Sequence, residues 1–360
     1  MSNTPPTISN EVQAYYSERL RSLGIDDRAN TIESPVYEHK DDQWLPTSET
    51  KKKQAFEPHP QGIQINYFLP TGYPIDYKKE GTKFARTFNR IRLFKEKTYE
   101  KDGKKATQKY HQEAGSGQFP YLTPGIIADY NAHKEIETLV LIEGEFKAFK
   151  SDMEFSQIKD APSLRFMGIP GIHGFYGGDT NHNREINELI QTIIVECKVK
   201  NIVMLLDADT MVVKWEDDKD LYIRQKSFAN AVANFRNSLH LLIENPEIPL
   251  THVYFMHMKT KFNETAKGLD DLLIQIPKKA PEILEDLTNF HFAKTYFAGL
   301  ILTDGQESKV EKYFGLQSKL DFYNLYKDYI GSRPFLYKKT KYEWTGSELS
   351  YVQIEDADRY

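Results

Sequence analysis

The sequence contains a single cysteine, Cys197. That excludes an internal disulfide framework and any CxxC zinc site. No stretch reaches the roughly eighteen consecutive apolar residues of a membrane-spanning helix, and no basic-then-apolar leader opens the chain. A cytoplasmic protein with no membrane association is therefore expected. A P-loop is also missing: the Gly- and Pro-rich segment 115–125 (GSGQFPYLTPG) lacks the GxxxxGK[ST] order and opens no obvious helix, so it reads as a linker. Nor is there an excess of positive charge, since 47 Lys and Arg stand against 52 Asp and Glu. The net charge of −5 argues against a uniformly basic nucleic-acid binder. The charge is uneven, however: twelve Lys or Arg and only four acids lie between positions 77 and 109.

Two apolar runs end in acids. Leu139, Val140, Leu141 and Ile142 lead into Glu143, Gly144 and Glu145. A continuous apolar run of this kind suits a strand buried on both faces of a parallel sheet. In an open α/β sheet the carboxyl ends of strands border the ligand crevice, so acids placed there have a chemical use. The run 201–206 (NIVMLL) leads into Asp207, Ala208 and Asp209. With the two-residue period of a strand, both aspartates project to one side, where they can share a hard cation such as Mg²⁺. A third apolar strand, 252–258 (HVYFMHM), is followed by Lys267, Gly268, Leu269, Asp270 and Asp271. Each acid alone has a bland reading as a helix cap or a solvated group. Capping does not need three separate strand ends, and holding a metal does.

A glutamate after one strand, DxD after a later one and a further acidic motif after the next resemble the Toprim domain of bacterial-type primases, topoisomerases and certain nucleases. IEGEFKA, GIPG at 168–171, LLDADT and KGLDD resemble in particular the Toprim-like proteins of phages and mobile elements that accompany replicative helicases. The likeness covers roughly 137–275. It implies a Toprim-like (Rossmann-like) α/β parallel-sheet core and metal-dependent nucleotidyl transfer, with primer synthesis in DNA replication first and nuclease activity as the alternative. A third reading is a non-catalytic nucleic-acid-binding accessory of a replicative helicase. Bacterial-type primases carry a zinc module, for which this sequence has no CxxC.

The resemblance assigns Glu143 as general acid/base or metal holder. Asp207, Asp209 and Asp270 are the expected ligands of Mg²⁺ or Mn²⁺, with Asp271 as a helix-capping alternative to Asp270. Glu145 is either a further ligand or the first-turn acid of a helix. Lys147 and Lys267 either contact phosphate or offset the acids. The expected partners are single-stranded DNA or RNA, nucleoside triphosphates and a replicative helicase docking on the C-terminal region.

Around this core the division is a tail at 1–10, an N-terminal α+β basic domain at 11–125, the Toprim-like domain at 126–280 and a helix and β-hairpin extension at 281–360. A helix is expected over 11–23, a loop over 41–60 and strands at 62–69 and 84–94. In the last of these Arg86, Arg90 and Arg92 share parity, and with Lys95 they form either a solvated edge or a phosphate-contacting surface. Phe84, Phe88, Phe94, Tyr99 and Tyr110 lie close enough in sequence to stack on unpaired bases. Further helices are expected at 146–155, 184–198 and 222–244, the second of which places Cys197 in the core. After 281, a helix near 282–289, another near 309–329 and a closing hairpin complete the reading.

Overall fold

The computed structural model describes residues 7–40, 43–79, 81–101, 104–177, 185–212, 223–290, 294–303, 307–314, 335–337, 340–344 and 351–354. Helix α1 (Asn10–Ser22) begins where the Ser9 hydroxyl accepts the Val12 N–H, with Glu11 in its first turn and Arg19 and Arg21 in its last. These charges complement the helix dipole. Strands β1 (Thr31–Lys40) and β2 (Gln43–Gln54) pair antiparallel, so the segment expected to be a loop is half of a hairpin. Lys51, Lys52 and Gln54 are all exposed, and a hairpin arm wetted on both faces carries no apolar alternation to betray it.

Strands β3 (Phe56–His59) and β4 (Gly62–Asn66), the two-residue strands β5 (Asp76–Tyr77) and β6 (Arg86–Thr87), then β7 (Asn89–Lys101) and β8 (Lys104–His111) follow. β3, β4, β7 and β8 form a four-stranded antiparallel sheet in that order, and β5 pairs with β6 separately. The strand expected over 84–94 is therefore broken at Phe88, which is fully buried.

The core sheet takes β9 (Tyr121–Leu122), β10 (Thr138–Glu143), β11 (Leu164–Ile169), β12 (Asn201–Leu206), β13 (His252–Met258) and β14 (Phe297–Ile301) in the order β14-β13-β12-β10-β11-β9. The four central strands are parallel and the two edges antiparallel. Residues from Thr138 to Ile142 are buried without interruption, as a strand covered on both faces requires. This is the expected α/β parallel-sheet core. Its helices are α2 (Pro124–Asn131), α3 (Glu145–Ser156), α4 (Glu188–Glu196), α5 (Ile223–Ser238), α6 (His240–Glu244), α7 (Leu269–Gln275) and α8 (Ala280–Thr288).

Segment 115–125 is more than a linker, because it supplies the edge strand β9 and opens α2, with Thr123 as N-cap and Pro124 in the first turn. The helix expected over 222–244 is interrupted at Leu239, which caps α6. Cys197 is buried behind α4, and burial pushes its thiol up to about 11. α9 (Glu307–Phe314) is the described part of the helix expected near 309–329. The chain then closes in a three-stranded antiparallel sheet of β15 (Phe335–Tyr337), β16 (Thr340–Trp344) and β17 (Tyr351–Ile354), one strand more than a hairpin. Within the described residues no helix is long and apolar enough to cross a membrane.

Candidate active site

The site is built on the carboxyl ends of β10, β12 and β13. Glu143 is the last residue of β10, and Gly144 follows with φ +102, a conformation that an L side chain rarely adopts. The turn throws the chain directly into α3, whose first residue is Glu145. GIPG has a packing role here: a Cβ on Gly168 would stand 3.2 Å from the Gly144 carbonyl oxygen and 3.1 Å from the Tyr121 Cβ. Without that atom the neighbouring strand comes close to the turn with no need for either side to give by a few tenths of an ångström.

At the end of β12 the chain turns through Asp207, whose carbonyl accepts both the N–H and the hydroxyl of Thr210. The Ala208 N–H donates to the carbonyl of Lys267 at 3.0 Å, which brings the loop after β13 against the DxD turn. Two ion pairs result. The Lys147 ammonium lies 2.5 Å from Asp207 Oδ2, and the Lys267 ammonium lies 2.9 Å from Asp209 Oδ2. Asp270, in the first turn of α7, is 5% exposed. Its Oδ2 is 4.0 Å from the Arg19 guanidinium, and its Oδ1 is buried without a hydrogen-bond partner among the described residues. Asp271 takes the capping role, its carboxylate accepting the Gly268 N–H.

These groups feel one another. Burial pushes the Glu143 carboxyl up, with Lys147 and Lys267 pulling it down and Asp207 and Asp209 adding to the rise. Asp207 is likewise raised by burial against the pull of Lys147, and Asp270 by burial and by the neighbouring Asp271. Burial works against the Lys147 ammonium, yet Asp207, with Asp270 and Glu143, more than offsets it and the group is raised. Among the described residues no three carboxylates or imidazoles stand together as a ready metal cluster. The donor set is nevertheless all oxygen, four carboxylates against two ammoniums, with one buried carboxylate oxygen unpartnered; that chemistry fits a hard divalent cation.

The remaining residues singled out in the sequence lie elsewhere. Glu145 is drawn into the N-terminal sheet, where its Oε1 accepts from the Tyr67 hydroxyl at 2.5 Å and pairs with Arg90. Arg90 stacks over the Tyr110 ring at 4.6 Å and Arg92 at 5.1 Å, and Arg92 donates to the Tyr110 hydroxyl at 3.0 Å. Both arginines are mostly buried and engaged. Arg86 is exposed but pairs with Glu113 at 2.5 Å, and hydrogen bonds from Tyr77 and Arg86 hold that carboxylate down at about 2. Lys95, Lys97 and Tyr99 are exposed along β7, and Phe84 is 81% exposed. Arg19 and Tyr67 carry no sequence signal for their roles: one sits on an ordinary amphipathic helix, the other is an aromatic 78 residues from its partner.

A cleft of about 1190 Å³ lies away from the acids, lined by Gly24, Arg28, Gly125, His133, Asp152 and their neighbours. Size does not make it the chemical centre. The cleft holds one perturbed carboxyl, Asp152, whereas the acidic strand ends bring together three raised carboxyls, Glu143, Asp207 and Asp270, one of them with an unpartnered oxygen.

Two solved primase structures resemble this chain. The crystal structure of the Aquifex aeolicus primase (zinc-binding and RNA polymerase domains) is 14% identical with a TM-score of 0.39, covering 86% of this chain and 67% of that one. The structure of the DnaG catalytic core is 11% identical with a TM-score of 0.38, covering 81% and 74%. No family model and no curated protein matches the chain.

Proposed function

We propose that this chain is a Mg²⁺- or Mn²⁺-dependent nucleotidyltransferase that joins nucleoside triphosphates on a single-stranded template, making primers in phage or mobile-element DNA replication. The observation that supports the reading is that Glu143 ends β10 and Asp207 and Asp209 follow the adjoining β12, near enough to raise the Glu143 carboxyl, with Asp270 in the helix after β13, in the motif order that resembles Toprim proteins. Asp207 and Asp209 would hold the cation, with Asp270 in support. A bound divalent ion would stabilise the charge that develops on the phosphoryl group being transferred.

The chain's own residues do the rest. Glu143, its carboxyl raised by burial, takes the proton from the hydroxyl that attacks the α-phosphorus of the incoming triphosphate, as the bond to the β-phosphate breaks and pyrophosphate leaves. Lys147, paired with Asp207, steadies that carboxylate, and the half-exposed Lys267, paired with Asp209, supplies a cation for phosphate. The exposed Lys95, Lys97, Phe84 and Tyr99 offer cations for backbone phosphates and rings for unpaired bases. A replicative helicase is the proposed partner of the C-terminal strands β15–β17, by resemblance to helicase-associated Toprim proteins.

Incubation with single-stranded DNA, labelled nucleoside triphosphates and Mn²⁺, with and without a cognate helicase, tests the proposal by the appearance of short oligonucleotides. Template degradation without triphosphates would assign the site to a nuclease. Binding with neither product would make the chain an accessory subunit.

A further inference from the structure

The two lysines of the acidic crevice are held differently. The Lys147 side chain is 22% exposed and comes from the first turn of α3, where a Cβ on Gly268 would stand 2.9 Å from its Cε. It is packed in place, with Asp207 at 2.5 Å and Glu143 and Asp270 also acting on its charge. The Lys267 side chain is 56% exposed, comes from a loop and reaches a single carboxylate oxygen of Asp209. Beside Lys147, against the same Gly268, the buried Asp270 Oδ1 has no hydrogen-bond partner among the described residues, an acceptor a cation would satisfy.

With Lys267 swung away, the four carboxylates face Lys147 and the Arg19 guanidinium beside Asp270, a deficit of two positive charges that one divalent ion matches and two would exceed. We propose that Lys147 is a resident cation of this site, taking at Asp207 the place of a second metal ion. Lys267 is the exchangeable cation: it is released from Asp209 when a single divalent ion enters and turns onto the phosphates that the ion carries. The inference rests on the metal-dependent reading given above and deepens it to a one-metal site. Packing fixes Lys147 in its role, and a flexible exposed stem suits Lys267 to exchange.

Calorimetric titration of the full chain with Mn²⁺, and separately with the magnesium complex of ATP, tests it without reference to activity. The wild type is expected to take one Mn²⁺. Lys267→Met removes a partly exposed competitor and should bind Mn²⁺ roughly three- to tenfold more tightly. The same variant should bind magnesium–ATP more weakly, and a purely structural change would not give these opposite signs. Lys147→Met should take a second Mn²⁺, and Lys147→Arg, which keeps the charge and guards against a folding failure in the first variant, should stay at one. Two ions in the wild type would overturn the resident-cation role. Unchanged or weaker Mn²⁺ binding in Lys267→Met would overturn the exchange, while the metal-dependent reading survived. Absence of Mn²⁺ binding in the wild type and in every variant would overturn that reading and this inference together.

Discussion

Arg90 of β7 and Glu145 of α3 form an ion pair in which the arginine side chain is 16% exposed and the glutamate 3%. It joins the N-terminal antiparallel sheet to the residue that follows the Glu143–Gly144 turn. Burial works to lower the Arg90 guanidinium, yet Glu145, Tyr67 and Tyr110 together more than offset it and leave it raised. Removing one partner would strand the other charge in the interior. Arg90→Gln or Glu145→Gln should therefore cost about 3–5 kcal/mol of unfolding free energy. Tyr67→Phe, which removes one donor to the same carboxylate, should cost about 1.5–3 kcal/mol. Urea unfolding checks both, and single losses that simply add in the Arg90→Gln, Glu145→Gln double variant would contradict a direct pair.

The same burial separates two roles for the basic residues of the N-terminal sheet. Arg90 and Arg92 face Tyr110, whereas Lys95 and Lys97 are exposed farther along β7. Replacing Lys95 and Lys97 with Gln should weaken single-stranded DNA binding and reduce the slope of log K against log salt by about 0.7 per lost contact, with stability unchanged. Binding measured at several salt concentrations decides the matter. An unaltered slope would return these lysines to a solvated edge.

Asp152 predicts a pH dependence of stability. Its carboxyl is pushed up to about 6 from 3.8 by burial, against the pull of Arg165. The folded chain thus holds this proton more tightly than the unfolded chain does. The corresponding stability is fully present below 3.8 and is lost as the pH rises through about 6. Asp152→Asn cannot ionise, so its unfolding free energy should fall less than that of the wild type between about pH 4 and about pH 7. Parallel curves for the two proteins would contradict the assignment.

Gly125 lies against the same carboxylate. A Cβ at this position would stand 2.2 Å from Asp152 Oδ2, whose partner oxygen is tied to the Phe166 N–H. Gly125→Ala should destabilise the protein by about 1–3 kcal/mol, read by thermal or urea unfolding. Stability equal to the wild type would show that the contact yields freely.

The legible parts of this chain were those in which a strand is buried on both faces. Residues 139–142 and 201–206 announce themselves as continuous apolar runs, and the acids after them mark the strand ends that the sheet places side by side. Polar strands gave no such sign, so β2 read as a loop. Thr123 before Pro124 was an available N-cap signal for α2, hidden by the glycines and prolines around it. The bond between Arg90 and Glu145 spans 55 residues, and no local pattern distinguishes a first-turn glutamate that ligates a metal or favours its helix end from one that anchors a distant arginine. Exposure was equally unreadable: shared parity placed Arg90 and Arg92 on one face, and the packing of Tyr110 made that face the inner one.

The central claim is that Glu143 and the carboxylates beside it perform nucleotidyl transfer. Its most direct test is the yield of labelled oligonucleotide from single-stranded DNA, nucleoside triphosphates and Mn²⁺ for the wild type and Glu143→Gln. The exchange removes a base and a charge while keeping the shape, so the wild type should make short products and the variant should make none, with template binding retained. Equal synthesis by both proteins, or synthesis by neither in the presence of helicase, would contradict the account.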